Sequence, residues 1–152
     1  KIMLIKSKTC LIYSAGGHYT ELRKSLYGIY FKNNYHVTFY SQIPDKSRRY
    51  YITHPRRNFF RTILNFFQSL KILLKEKPKL IISTGADVTL GTIILGKLFF
   101  RTHVIFIESS ANILKPSLTG RISYFFSDLF IIQFKELLKF YPKAKLSKGF
   151  LH

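Results

Sequence analysis

Four runs of uninterrupted apolar residues, many β-branched or aromatic, punctuate this chain, and clusters of polar and small residues follow three of them. They are Cys10-Leu11-Ile12-Tyr13 before Ser14, Leu80-Ile81-Ile82 before Ser83-Thr84, Val104-Ile105-Phe106-Ile107 before Glu108-Ser109-Ser110, and Leu129-Phe130-Ile131-Ile132. Segments with helical periodicity separate them. A run without polar alternation is buried on both faces, and such strands alternating with helices build a parallel sheet covered on both sides. The spacing predicts strands over 9–14, 35–41, 80–83, 104–107 and 129–134. It predicts helices over 19–31, 59–77, 87–100, 116–126 and 135–141. Residues 42–58 read as a long basic connection holding Pro44 and Pro55. Pro78 stops the second helix and Pro142 the last. Asp87 is placed as an N-cap and Pro116 in a first helical turn. Gly91 and Gly96 each weaken their helix by about 1 kcal/mol relative to Ala. The expected fold is α/β, a Rossmann-like parallel sheet with helices on both faces. At 152 residues, with no linker or repeat, the chain reads as one domain over 1–152.

In such sheets ligands bind beyond the carboxyl ends of the strands. The polar residues gather there, in Ser14-Ala15-Gly16-Gly17-His18, Ser83-Thr84-Gly85-Ala86-Asp87 and Glu108-Ser109-Ser110-Ala111-Asn112. Gly16 and Gly17 allow backbone N–H groups to approach a ligand closely. The helix start behind them favours an anion such as a diphosphate. His18 is of the residue type that most often serves as a general base, and Glu108 sits where strand-end carboxylates often act. Ser14, Thr84, Gly85, Ser109 and Ser110 are candidates for lining the cleft. Glu21 reads as satisfying backbone donors of the first helical turn. The plainer alternatives are a bare strand–helix turn, an Asp87 that only caps, and a Glu108 that only pairs a nearby cation.

The net charge is +18, with only seven acids, so the surface should seek polyanions. The helix over 59–77 carries a broad apolar face with Phe59, Phe60, Phe66 and Phe67. Arg61, Asn65, Gln68, Lys71 and Lys75 lie opposite or on its borders. This helix either covers the sheet or lies in an anionic membrane interface, helped by Arg56 and Arg57 just before it. No uncharged apolar run reaches the roughly 18–20 residues of a membrane span. Nucleic acid is disfavoured, since no helix-turn-helix, RNP-type strand or zinc-ligand spacing is present. The five histidines are scattered and no Asp-x-Asp pair occurs, so no metal site is expected. The lone Cys10 forms no intrachain disulfide, which suits a reducing compartment. The chain begins at Lys1 rather than Met, which leaves room for an upstream anchor.

Ser-Ala-Gly-Gly-His-Tyr-Thr-Glu at 14–21 resembles the Gly-Gly-His-x-x-Glu loop of a split glycosyltransferase family. Lys77-Pro78 with Leu80 to Asp87, Ile107-Glu108-Ser109-Ser110-Ala111-Asn112-Ile113 with Ser117-Leu118-Thr119-Gly120-Arg121, Asp128 to Gln133, Tyr141-Pro142-Lys143-Ala144 and Gly149 extend the likeness over nearly the whole chain. The family comprises bacterial capsule and exopolysaccharide subunits of the PssD and CpsF type. It also holds the eukaryotic subunit that anchors the transferase adding the second GlcNAc to dolichol-diphosphate sugar. Asn112 departs from it, standing where the family usually has Arg.

The resemblance implies one half of a GT-B transferase, on the acceptor side, at the cytoplasmic face of the membrane. The UDP-sugar donor would sit on a separate catalytic partner chain. The acceptor would be a polyprenyl-diphosphate-linked saccharide, held by Gly16, Gly17 and the neighbouring loops. His18 or Glu108 would serve as base in an inverting, metal-independent transfer. Helix 88–100 and Phe150-Leu151 are candidates for the partner face. Two other readings remain: a non-catalytic membrane scaffold that recruits the enzyme, and a self-sufficient nucleotide-binding enzyme. Against the latter stand the absence of a second glycine-rich unit and a second strand ending in Ser41-Gln42 instead of an acid.

Overall fold

The computed structural model describes residues 2–14, 16–39 and 47–147. In chain order the elements are β1 (Met3–Ile5), β2 (Thr9–Ile12), α1 (Gly17–Ser25), β3 (Ile29–Phe31), β4 (Asn34–Thr38), β5 (Arg49–Tyr51) and α2 (Phe59–Glu76). There follow β6 (Leu80–Ser83), α3 (Leu90–Phe100), β7 (His103–Ile107), α4 (Leu118–Phe126), β8 (Leu129–Ile132) and β9 (Lys145–Leu146). Short 3-10 turns occupy Asp87–Thr89 and Lys135–Lys139.

The main sheet has seven strands in the order β5-β4-β2-β6-β7-β8-β9, every pair parallel. All carboxyl ends therefore lie on one edge. The chain builds outward from β2 through β4 and β5, then returns to place β6 on the other side of β2. That reversal between β2 and β6 is a topological switch point, where doubly wound sheets open a crevice.

Alternation along the strands explains the two cores. Cys10, Ile12, Ile81, Val104, Phe106 and Phe130 face Leu73 of α2 and Ile93 of α3. Leu11, Tyr13, Ile82 and Ile107 face Leu22 of α1. Each strand side chain is buried on alternate faces at period two, and the expectation of helices on both faces holds. Burial pushes the Cys10 thiol up to about 12, so it is packed as an inert apolar group.

Several expected boundaries move. The first helix ends at Ser25 instead of running to 31, because Gly28 turns the chain at φ 79°. Ile29-Tyr30-Phe31 then pairs in parallel with Met3-Leu4-Ile5 as a small second sheet. The basic connection contains β5, which pairs with β4. Residues 40–41 of the expected second strand, and Gly149, Phe150 and Leu151, fall outside the described residues. Asp87 caps no helix through its side chain; it opens a 3-10 turn whose preceding residue, Ala86, sits at φ 73° and ψ 154°. Ser117, not Pro116, marks the start of α4, accepting from the Gly120 amide. Asn58 caps α2 by accepting from the Arg61 amide, and Lys77 ends it in a left-handed conformation before Pro78.

Candidate functional site

The three polar loops follow β2, β6 and β7, which are adjacent in the sheet, and they converge at its carboxyl edge. A cavity of about 180 Å³ opens there, lined by His18, Thr84, Gly85, Glu108, Ser109, Asn112 and Thr119 among others. Ser14 is half-buried on the segment leading to it. Gly16 has φ 82°, a left-handed value that favours glycine. A Cβ at Gly16 or Gly17 would meet nothing within 4 Å, so the front of this turn is open space.

His18 occupies the first turn of α1. Its Nδ1 lies 2.8 Å from the Thr84 carbonyl oxygen. A carbonyl can only accept, so Nδ1 is the donor in this bond and Nε2 is the ring nitrogen left to act as an acceptor. The Thr84 hydroxyl returns a bond of 2.7 Å to the His18 carbonyl. Gly85 brings the backbone so close that an added Cβ would stand 3.5 Å from His18 Cε1.

Glu108 is 1% exposed and surrounded by donors. The Ser117 hydroxyl at 2.8 Å, the Tyr141 hydroxyl at 2.8 Å, the Ser109 amide at 3.2 Å, the Ser117 amide at 3.3 Å and the Asn112 side chain at 3.4 Å all donate to it. Its partners are therefore hydroxyls and amides, not the Lys or Arg of the plainer alternative. Burial, the nearby Glu108 charge and this hydrogen bond push the Tyr141 hydroxyl well above its ordinary range, so it stays a donor. Gly120 permits the arrangement: a Cβ there would stand 2.0 Å from Glu108 Oε2.

Glu21 does not serve its own helix turn. Its Oε1 accepts from the Ser110 amide at 2.8 Å and from the hydroxyls of Ser109 and Ser110. Both serines are thus engaged with Glu21, across 88 or more residues of sequence. Asp87 pairs with His54, Oδ1 to Nε2 at 3.3 Å. Among the described residues no three His, Cys, Asp or Glu side chains gather as a metal site would need. Sequence reasoning missed Ser117, Gly120 and Tyr141 as parts of the Glu108 node. The Ser-Leu-Thr-Gly motif carried the first two and the Tyr-Pro-Lys-Ala motif the third, but neither motif showed that they meet at Glu108.

Helix α2 is turned in an unexpected way. Asn65, Ser69 and Glu76 are buried, while Phe59, Phe60 and Phe67 are 72%, 79% and 67% exposed. Asn65, expected on the outer side with the cations, donates to the carbonyls of Thr53 and Val88. Gln68, likewise expected outside, accepts from the Thr53 amide. Phe66 is half-buried, and a hollow of about 410 Å³ lies beside it, lined by Phe59, Ile63, Phe66, Phe67, Leu70 and Leu95. Arg56, Arg57 and Arg61 are exposed at the amino end of this face. Leu98 and Phe99 of α3 are exposed as well. No described helix is long and apolar enough to cross a membrane.

Residues 48–151 match the family described as oligosaccharide biosynthesis protein Alg14 like. This chain belongs to the Alg14-like family. It is also 29% identical over 109 residues to the UDP-N-acetylglucosamine–N-acetylmuramyl-(pentapeptide) pyrophosphoryl-undecaprenol N-acetylglucosamine transferase of Staphylococcus aureus, across 72% of this chain and 30% of that enzyme. Its fold resembles Acinetobacter baumannii MurG, with TM-score 0.65 and 13% identity over 84% of this chain and 41% of that one. UDP-N-acetylglucosamine 2-epimerase from Rickettsia bellii gives TM-score 0.72 and 12% identity over 93% and 42%. This Alg14-like chain therefore spans less than half the length of each. Its α/β sheet has the architecture of one Rossmann-like half of a GT-B protein.

Proposed function

We propose that this Alg14-like chain is the acceptor-side, membrane-associated half of a two-chain glycosyltransferase. A separate partner binds the UDP-sugar, and the acceptor is a polyprenyl-diphosphate-linked saccharide. The product belongs to capsule, exopolysaccharide or lipid-linked oligosaccharide synthesis at the cytoplasmic face of the membrane.

The observation that carries this reading is the convergence of three strand-end loops on one cavity, with His18 at its edge and its Nδ1 held by the Thr84 carbonyl. The open turn at Gly16-Gly17 and the start of α1 suit a diphosphate, whose charge the first-turn amides and helix dipole favour. Gly85, Thr84 and Ser109 wall the space beside it, whereas Ser110 is not among the lining residues and is tied to Glu21. His18 Nε2 removes the proton of the acceptor hydroxyl as that oxygen bonds to the anomeric carbon. The bond from that carbon to the donor diphosphate breaks, and UDP leaves with its electron pair on the partner. A single displacement of this kind inverts the anomeric centre and needs no protein-bound metal. Of the two candidate bases the geometry favours His18, because the Glu108 carboxylate is already occupied by protein donors. Glu108 instead holds the loop 109–117 in place.

The outward apolar face of α2 supports the membrane half of the reading. Aromatic side chains in water, rimmed by Arg56, Arg57 and Arg61, match an anionic bilayer surface. Asn65 of α2 bonds the Val88 carbonyl in the turn before α3, beside the loop that follows β6.

The test is reconstitution with the donor-binding partner in anionic vesicles carrying the lipid-linked acceptor. His18→Ala should lower turnover at least tenfold, about 1.4 kcal/mol of barrier. A smaller loss removes His18 as base and favours the scaffold reading.

A further inference from the structure

Glu21 holds a second relationship that the transfer reading does not use. It lies three residues after His18 on α1, so both side chains occupy one helix face. Its side chain is 13% exposed, and Oε2 lies 3.9 Å from His18 Nδ1. Oε2 is buried and accepts no hydrogen bond, while Oε1 takes all three donors from the loop after β7. Among the described residues no Lys or Arg pairs with Glu21. An unsolvated carboxylate oxygen facing a neutral ring is unfavourable. It becomes favourable when that ring gains a proton and a positive charge.

We propose that Glu21 is a positioning residue for His18. Its Oε2 supplies the charge that stabilises the imidazolium formed during transfer. Its Oε1 fastens the Ser109-Ser110 segment, of which Ser109 lines the cavity, to the helix carrying the base. The charge half of this assignment rests on His18 acting as the base. The fastening half rests on the hydrogen bonds alone.

The experiment uses the full chain reconstituted with its partner, with Glu21→Gln, Glu21→Ala, His18→Ala and the His18→Ala/Glu21→Gln double variant. Gln keeps an oxygen for the Ser110 amide and removes the charge. Glu21→Gln should lower kcat about tenfold with KM changed less than about twofold. In the His18→Ala background the same change should alter kcat less than about twofold, as expected of groups acting as a unit. Normal kcat for Glu21→Gln, or a full tenfold loss repeated in the double variant relative to His18→Ala, overturns the charge assignment. Hydrogen exchange at the Ser110 amide should speed up at least about tenfold in Glu21→Ala and stay near normal in Glu21→Gln. Unchanged exchange in Glu21→Ala overturns the fastening. Full turnover in His18→Ala overturns the base reading itself, and Ser110 exchange still decides the fastening.

Discussion

His18 and Thr84 hold each other by two hydrogen bonds of opposite direction: Nδ1–H to the Thr84 carbonyl at 2.8 Å, and the Thr84 hydroxyl to the His18 carbonyl at 2.7 Å. The residues follow β2 and β6, so the pair bridges the switch point of the sheet. One bond sets the ring tautomer and the other fixes the backbone that carries the ring. Thr84→Val keeps the shape and removes the hydroxyl, leaving the His18 carbonyl without this donor. It should cost about 1 kcal/mol of stability by urea unfolding and lower turnover by more than that loss explains.

Gly17→Ala separates fold from function. Nothing stands within 4 Å of a Cβ there. Stability should change by less than about 0.5 kcal/mol. If a diphosphate docks against this turn, the methyl occupies its approach, and KM for the lipid-linked acceptor should rise at least about tenfold. Unchanged KM would remove the turn as the anion site.

Gly120→Ala should behave in the opposite way. A methyl 2.0 Å from Glu108 Oε2 and 2.7 Å from the Tyr141 hydroxyl cannot be absorbed without breaking the node. A loss of about 3 kcal/mol in unfolding free energy is expected.

Ala86 lies at φ 73° and ψ 154°, a region that suits glycine. Ala86→Gly relieves strain but frees the unfolded chain, and the first effect should win. Unfolding free energy should rise by about 1 kcal/mol.

Stability should fall in acid through Glu76. Burial alone would raise its carboxyl above the ordinary glutamate value, but the Tyr50 hydroxyl, Lys8 and Arg48 together hold it lower. The folded state therefore binds this proton less readily than the unfolded chain. The stabilisation is complete above the unfolded value near 4.5 and is lost as pH falls through the lower folded value. Glu76→Gln should cost about 1–2 kcal/mol at neutral pH, since Lys8 and Arg48 are partly exposed. It should also flatten the acid dependence. Asp128 leaves a residual slope, its carboxyl lowered by Lys97, the Val104 amide and His103 against the opposing effect of burial.

Alternating apolar runs and helical segments made the parallel sheet legible, because strands buried on both faces leave no other pattern. The small strands β1, β3, β5 and β9 were not legible, since two or three residues carry no periodicity. The Gly-Gly-His turn was visible through its residue types. The role of Glu21 was not, because its partners Ser109 and Ser110 lie 88 and 89 residues away, and for Glu108 only the distant Tyr141 was out of local reach. The family resemblance drawn from the motifs leads to the Alg14-like family that residues 48–151 match; the capsule-subunit type does not enter that match.

Residue order by itself determined the α/β class, the positions of the main strands and the placing of polar loops at strand ends. Those follow from local periodicity, which needs no knowledge of neighbours. Only the tertiary structure decided that α2 turns Asn65 and Ser69 inward and Phe59, Phe60 and Phe67 outward. A helix shows two faces to any reader, but the carbonyls of Thr53 and Val88 that draw Asn65 inward are supplied by other segments once the chain has folded.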